Sequence, residues 1–380
     1  MEEARRARQP FLRRLAASFR AAPQSAHSVT KNKGRQRPLS RLTKSFAVFS
    51  TAALIACAPA AAQDELHAGT TINMARATWD TGWFQGEIYK QMLEELGYTV
   101  DGPTTLDNPP FYLAVAQGDV DFWVDGSFPL HNNYRPTFEG KAEIVGAVAK
   151  GGALEGYLVD KASVEEFGIK TLEDFKRPEV QKAFDRDGDG KADLVACPPG
   201  WGCEVTIEHH LDAYGLRDYV NPIKASYPAS MADAVAAYEA GEPILFYTWT
   251  PNWTVNELVP GEDVMWIQVP RVDLPEAQAE LADAAVVSGI EGCVAEPCVL
   301  GFPVNDIVPV ANSQFLDDNP AAARLFELAS IPLADIFAQN AKMNAGAGSP
   351  DDIRQQAADW IAENRSVVDS WLEEARAAAN

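Results

Sequence analysis

The segment Cys197–Glu204, CPPGWGCE, concentrates more recognition chemistry than any other stretch of the chain. Two cysteines with five residues between them would pin a tight loop that carries Trp201. Gly200 and Gly202 let the backbone approach a ligand closely and aim N–H groups at it. A second aromatic group, Tyr247-Thr248-Trp249-Thr250-Pro251-Asn252-Trp253, ends an apolar run. A third, Ser127-Phe128-Pro129-Leu130-His131, follows another. Rings and closely approached N–H groups hold a small molecule; they do not transform one. A tryptophan at a strand end is core more often than ligand contact, and Trp266, Trp360 and Trp371 are read that way. Around Trp201 the flanking glycines and the cysteine pair reverse the balance. His209 and His210 are read as surface or packing residues.

A second motif is Asp185-Arg186-Asp187-Gly188-Asp189-Gly190-Lys191-Ala192-Asp193. Asp185, Asp187, Asp189 and Asp193 stand at positions 1, 3, 5 and 9 of a calcium loop, with Gly190 at position 6. The bidentate Glu expected at position 12 is replaced by Ala196. Two readings stay open, a weak structural calcium site or an Asx-rich turn that needs no metal. Either would brace the Trp201 loop, which begins four residues after Asp193.

The remaining cysteines, charge and leader set the compartment. Cys293 and Cys298 form a second short-range pair, and in an exported chain Cys197–Cys203 and Cys293–Cys298 read as two small-loop disulfides. Zinc would need a tighter cysteine spacing with histidines nearby, and the five histidines are scattered. The chain has 32 Lys and Arg against 54 Asp and Glu, a net charge of -22. Twelve of the basic residues lie in residues 1–63 with only Glu2 and Glu3, leaving the rest with 20 basic and 52 acidic side chains. So acidic a body repels phosphate backbones, which excludes nucleic acid as a partner. Residues 46–56, FAVFSTAALIA, are apolar, follow Arg41 and Lys44 and precede Ala60-Ala61-Ala62. That pattern describes a secretory signal over residues 1–62, cleaved after Ala62 to release a periplasmic protein. The alternative is Leu54-Ile55-Ala56-Cys57 as a lipobox that would anchor the chain through Cys57. Val29 is a candidate true start.

The elements that must position these residues are legible in part. Thr70–Ala77 reads as a strand, Phe84–Leu96 as a helix closed by Gly97, Tyr98–Asp101 as a strand, Pro110–Gln117 as a helix and Val120–Val124 as a strand. This alternation predicts a doubly wound α/β lobe. The same grammar returns in the helix Met231–Ala240 and the strand Pro243–Trp249. Towards the C-terminus come a helix over 321–328 and a long one starting at Ser349, which caps it before Pro350, Asp351 and Asp352. The predicted fold is two such lobes, each a sheet flanked by helices, joined by a hinge: residues 68–155 with 259–380, and residues 156–258.

Residues 68–375 resemble the glycine betaine/proline betaine-binding proteins of bacterial osmoprotectant ABC transporters, a family of type II periplasmic binding proteins. The resemblance is carried by LGYTV, GDGKADL, PGWGCE, YTWTP, NELVPGEDVMWIQVP and NPAAARLF, in one order with similar spacing. It implies a non-enzymatic monomer that closes on glycine betaine or a related quaternary ammonium zwitterion and delivers it to a membrane permease. It implies no cofactor. Trp201 and Trp249 match two walls of the family's tryptophan box, His131 its carboxylate-binding histidine, and Gly202 and Cys203 its backbone donors. The family's remaining box tryptophan is Ser127 here. Phe128, Trp123, Trp79 and Trp83 are the candidates for a replacement wall; otherwise the pocket is wider. A quaternary ammonium has no N–H to donate, so ring faces must select it, while the carboxylate takes backbone N–H groups and a partly charged histidine.

Two rival readings follow. An exported enzyme acting on betaine- or choline-like compounds would need an acid–base pair or a redox cofactor, and the chain has no G-x-G-x-x-G after a strand, no H-E-x-x-H and no G-x-S-x-G. A ligand sensor presenting its closed form to a membrane receptor would share the whole binding apparatus.

Overall fold

A computed structural model describes residues 69–379. The leader, with the Ala62 and Cys57 alternatives, lies outside the described residues. Thirteen strands are present: β1 Thr71–Ala77, β2 Thr99–Leu106, β3 Phe122–Phe128, β4 Ala142–Ile144, β5 Ala149–Ala153, β6 Glu155–Asp160, β7 Ala192–Val195, β8 Val220–Ile223, β9 Leu245–Trp249, β10 Val264–Ile267, β11 Val286–Val287, β12 Cys298–Val299 and β13 Asn305–Asn312. They form two mixed sheets and a short hairpin. The first sheet runs β2-β1-β3-β13-β4 with β5 also on β13; the second runs β10-β6-β9-β7-β8.

The first sheet is covered on both faces, as continuously apolar strands require. Helix α1, Trp83–Glu95, lays Phe84, Ile88 and Met92 on one face together with Leu325 and Phe326 near the C-terminus. Helix α2, Asn108–Gln117, covers the other with Phe111, Tyr112 and Val115. Gly97 and Gly118 end or follow these helices at φ +97° and +82°, a region that suits glycine. In the second sheet, helices α3, Gly202–Ala213, and α4, Tyr227–Glu239, pack Ile207, Leu211, Met231 and Ala234 into one core.

Three differences from the sequence reading have physical causes. β3 extends to Phe128 because β13 pairs with it antiparallel, Ile307 opposite Ser127 and Asp306 opposite Phe128. That partner lies some 180 residues downstream and leaves no local signature. Val264–Ile267, placed by sequence in the first lobe, pairs with β6 in the second sheet. The long helix from Ser349 has the expected Ser349 cap, which forms a capping box with Asp352. It then stops at Asn364 and restarts as Arg365–Ala378, with the Asn364 side chain donating to the Trp360 carbonyl.

The chain passes from one sheet to the other at Leu154. There the Leu154 N–H donates to Thr250 Oγ1 at 3.0 Å and the Thr250 N–H returns to the Leu154 carbonyl at 2.8 Å. Both disulfides are formed, Cys197–Cys203 and Cys293–Cys298, with Cα separations of 6.1 and 6.0 Å.

Candidate ligand-binding cleft

A cleft of about 620 Å³, counting its open mouth, is walled by residues of both sheets. A cleft between two sheets is a usual placement for a small-molecule site. Its aromatic wall is built from three indoles. Trp79 follows β1, Trp201 precedes α3, and Trp249 ends β9. The Trp79 and Trp201 centroids are 5.3 Å apart at 72°, and those of Trp201 and Trp249 are 5.7 Å apart at 75°. Successive rings at nearly right angles present their faces as adjoining walls of a box. The ring of Trp201 is fixed by its Nε1–H, which donates to Thr78 Oγ1 at 3.0 Å, while that hydroxyl donates to Asp107 Oδ1. Tyr227, 4.8 Å from Trp249 between centroids, buttresses the box from behind.

The polar wall begins at the N-terminus of α3. Gly202 is its first residue, and the preceding Trp201 provides no side-chain cap. The first-turn N–H groups of Gly202 and Cys203 therefore meet the cleft at the positive end of a twelve-residue helix. The disulfide from Cys203 to Cys197 holds this turn against β7.

His131 also lines the cleft, but its chemistry differs from the expected one. It is buried, and burial holds its ring well below the usual range, at about 3, so the ring is neutral rather than partly charged. Nδ1 receives the Ser127 N–H at 3.1 Å and lies 2.8 Å from the Tyr112 hydroxyl. With the backbone donor fixed, Nδ1 is the acceptor and Nε2 carries the proton. Nε2 lies 3.0 Å from Asn108 Nδ2, so a proton on Nε2 requires the Asn108 amide to turn its oxygen to the ring.

Among the replacement walls, Trp79 lines the cleft. Trp83 does not: its Nε1–H donates to the Ala77 carbonyl, and Arg76 covers its ring at 3.7 Å. Phe128 turns to the Tyr112–Phe138 cluster, and Trp123 is fully buried, stacked on Phe111 at 3.7 Å. Ser127 is on the cleft wall.

Two acidic lining residues were not singled out in the sequence, Asp125 and Glu155. Burial raises both carboxyls to about 7, against the Ala77 N–H and Arg76 for Asp125 and the Tyr247 hydroxyl for Glu155. The available signal was a charge inside an apolar strand run, FWVDGSF, and another opening EGYLVD.

The acidic loop lies away from the cleft. One carboxylate oxygen each from Asp185, Asp187 and Asp193 converges within 4.8 Å, without Asp189. Asp185 caps the N–H groups of Gly188 and Gly190, and Asp193 that of Arg186.

Residues 70–363 match the family described as the substrate-binding domain of ABC-type glycine betaine transport systems. The chain belongs to that family. It is a substrate-binding protein that serves an ABC transporter, not an enzyme, and the family needs no cofactor. It is 41% identical over 320 residues to a glycine betaine-binding periplasmic protein of Dickeya dadantii, covering 84% of this chain and 94% of that one. It is 40% identical over 311 residues to the glycine betaine/proline betaine-binding periplasmic protein of Escherichia coli, covering 82% and 91%. A solved glycine betaine/L-proline-binding protein of Borrelia burgdorferi superposes with a TM-score of 0.63 at 17% identity, covering 82% of this chain and 100% of that one. The shared fold is the two-lobed one of periplasmic binding proteins. Among the described residues no helix is long and apolar enough to cross a membrane.

Proposed function

We propose that the protein captures glycine betaine or a related quaternary ammonium zwitterion between its two sheets, closes on it and presents it to a membrane permease. The observation that carries this reading is the right-angled wall of Trp79, Trp201 and Trp249 beside the uncapped start of α3. Each ring face contributes about 0.5–2 kcal/mol to a desolvated cation, and strongly hydrated metal ions gain nothing comparable. The ligand carboxylate takes the N–H groups of Gly202 and Cys203, where the helix dipole favours an anion. His131 positions this wall as a neutral ring and lends no charge. Trp79 stands in for the tryptophan absent at Ser127.

The lobes are built around the two sheets, and the paired Leu154 and Thr250 strands are the hinge. The leader directs export, with cleavage after Ala62 giving a soluble periplasmic monomer and the Cys57 lipobox as the alternative. The loop Asp185–Asp193 folds as a hydrogen-bonded turn without needing calcium.

Calorimetric titration of the exported protein with glycine betaine, proline betaine, choline, carnitine and dimethylsulfoniopropionate tests the function. Binding of at least one with micromolar or better affinity is expected. Binding of none would sink the cage.

A further inference from the structure

We propose that Asp125 and Glu155 set the charge selectivity of the cleft, ranking quaternary ammonium compounds with a net positive charge and a hydrogen-bond donor at the far end above those bearing a carboxylate. This rests on the cleft being a quaternary ammonium site, and adds which member of that class it prefers.

The first support is the charge of the walls. Asp125 and Glu155 both line the cleft, both are at least nine-tenths buried, and no Lys or Arg lines it with them. The one histidine there is neutral. A zwitterion needs no buried countercharge, because its own carboxylate supplies one. A net cation does need it, since an unpaired charge in a closed, poorly solvated site is costly. An acid beside the rings also attracts the ammonium more strongly than it would in water.

The second support is placement. Glu155 is the direct cross-strand partner of Trp249, so its side chain rises beside a wall of the box. Its Oε2 accepts from the Tyr247 hydroxyl at 2.7 Å and its Oε1 from Asn305 Nδ2 at 3.0 Å. These two donors hold the carboxyl group in place, and the Tyr247 hydroxyl partly offsets the burial that raises it to about 7.

The third support is an unmet acceptor. Asp125 Oδ2 takes the Ala77 N–H at 2.9 Å, while its Oδ1 is buried and unpartnered, packed against the backbone at Gly82. Gln85, also on the cleft wall, has an unpartnered Oε1. Two buried acceptors call for a donor, such as a ligand hydroxyl; a carboxylate would bring a further acceptor and a third negative charge. The N–H groups of Gly202 and Cys203 still receive a carboxylate, so betaines remain ligands of lower rank.

The test is calorimetry of the exported protein with choline and with glycine betaine, on the wild type, Asp125→Asn and Glu155→Gln. Both substitutions keep the side-chain shape and remove only the charge, and far-ultraviolet circular dichroism checks the fold of each. Choline is expected to bind the wild type more tightly than glycine betaine, and each variant to lower that preference at least tenfold. A purely structural role would weaken both ligands by the same factor. A wild type that prefers glycine betaine, or a ratio unmoved in both variants, overturns the selectivity proposal while leaving the quaternary ammonium site intact. Failure of both ligands on the wild type, with none of the other betaines binding, overturns the site itself.

Discussion

A methyl group added at Gly202 would sit 2.8 Å from Cδ2 of His131 and 3.0 Å from Cγ of Leu130. The first residue of α3 in the second sheet thus touches the loop after β3 in the first. Glycine is required there by this close approach, since its backbone angle is an ordinary helical one.

Gly202→Ala therefore separates helix stability from closure. Alanine is the better helix former, by about 0.5–1 kcal/mol. The variant should melt no lower than the wild type, yet bind glycine betaine at least tenfold more weakly because the two sides are held apart. Calorimetry and thermal melting check both halves, and undiminished affinity would remove the contact from the mechanism.

Trp79→Ala should weaken ligand binding by about 1 kcal/mol or more, roughly fivefold or more, as the loss of one cation–π wall. Trp83→Ala should leave affinity unchanged, because that ring packs under Arg76 outside the cleft. The reverse order would exchange their roles.

The unliganded protein should respond to pH through its buried acids. Unfolded carboxyls titrate near 4, whereas Asp125 and Glu155 titrate at about 7 when folded. Their contribution to stability is whole below about pH 4 and is lost as pH rises through about 7. His131 and His210, both held at about 3 by burial, act oppositely: their contribution is whole above about 6.5 and lost as pH falls towards 3. The acids are therefore isolated between pH 8 and 6.5. There the wild type should gain melting temperature on acidification relative to the Asp125→Asn, Glu155→Gln double variant. Parallel curves would show that burial does not raise these carboxyls.

The acidic loop should be indifferent to calcium. Its carboxylates are already engaged by the N–H groups of Arg186, Gly188, Asp189, Gly190 and Lys191. Adding millimolar calcium, or a chelator, should shift the melting temperature by less than about 1 °C. A rise of several degrees with calcium would mean that the ion completes the loop.

The local grammar of this protein is written in its sequence. Gly97, Gly118 and Ser349 end or start helices for conformational reasons confined to a few residues, and all three do so in the structure. The CPPGWGCE loop likewise declares its disulfide through the short spacing of its cysteines in an exported chain. What the tertiary structure decided is everything that depends on partners distant in the chain. It chose Trp79 over Trp83, four residues apart, because only one of them faces the cleft. It made His131 neutral, because three elements bury the ring and Ser127, Tyr112 and Asn108 occupy its nitrogens. It also brought Asp125 and Glu155 to one cleft, since a charge within an apolar run becomes a site only when two sheets meet around it.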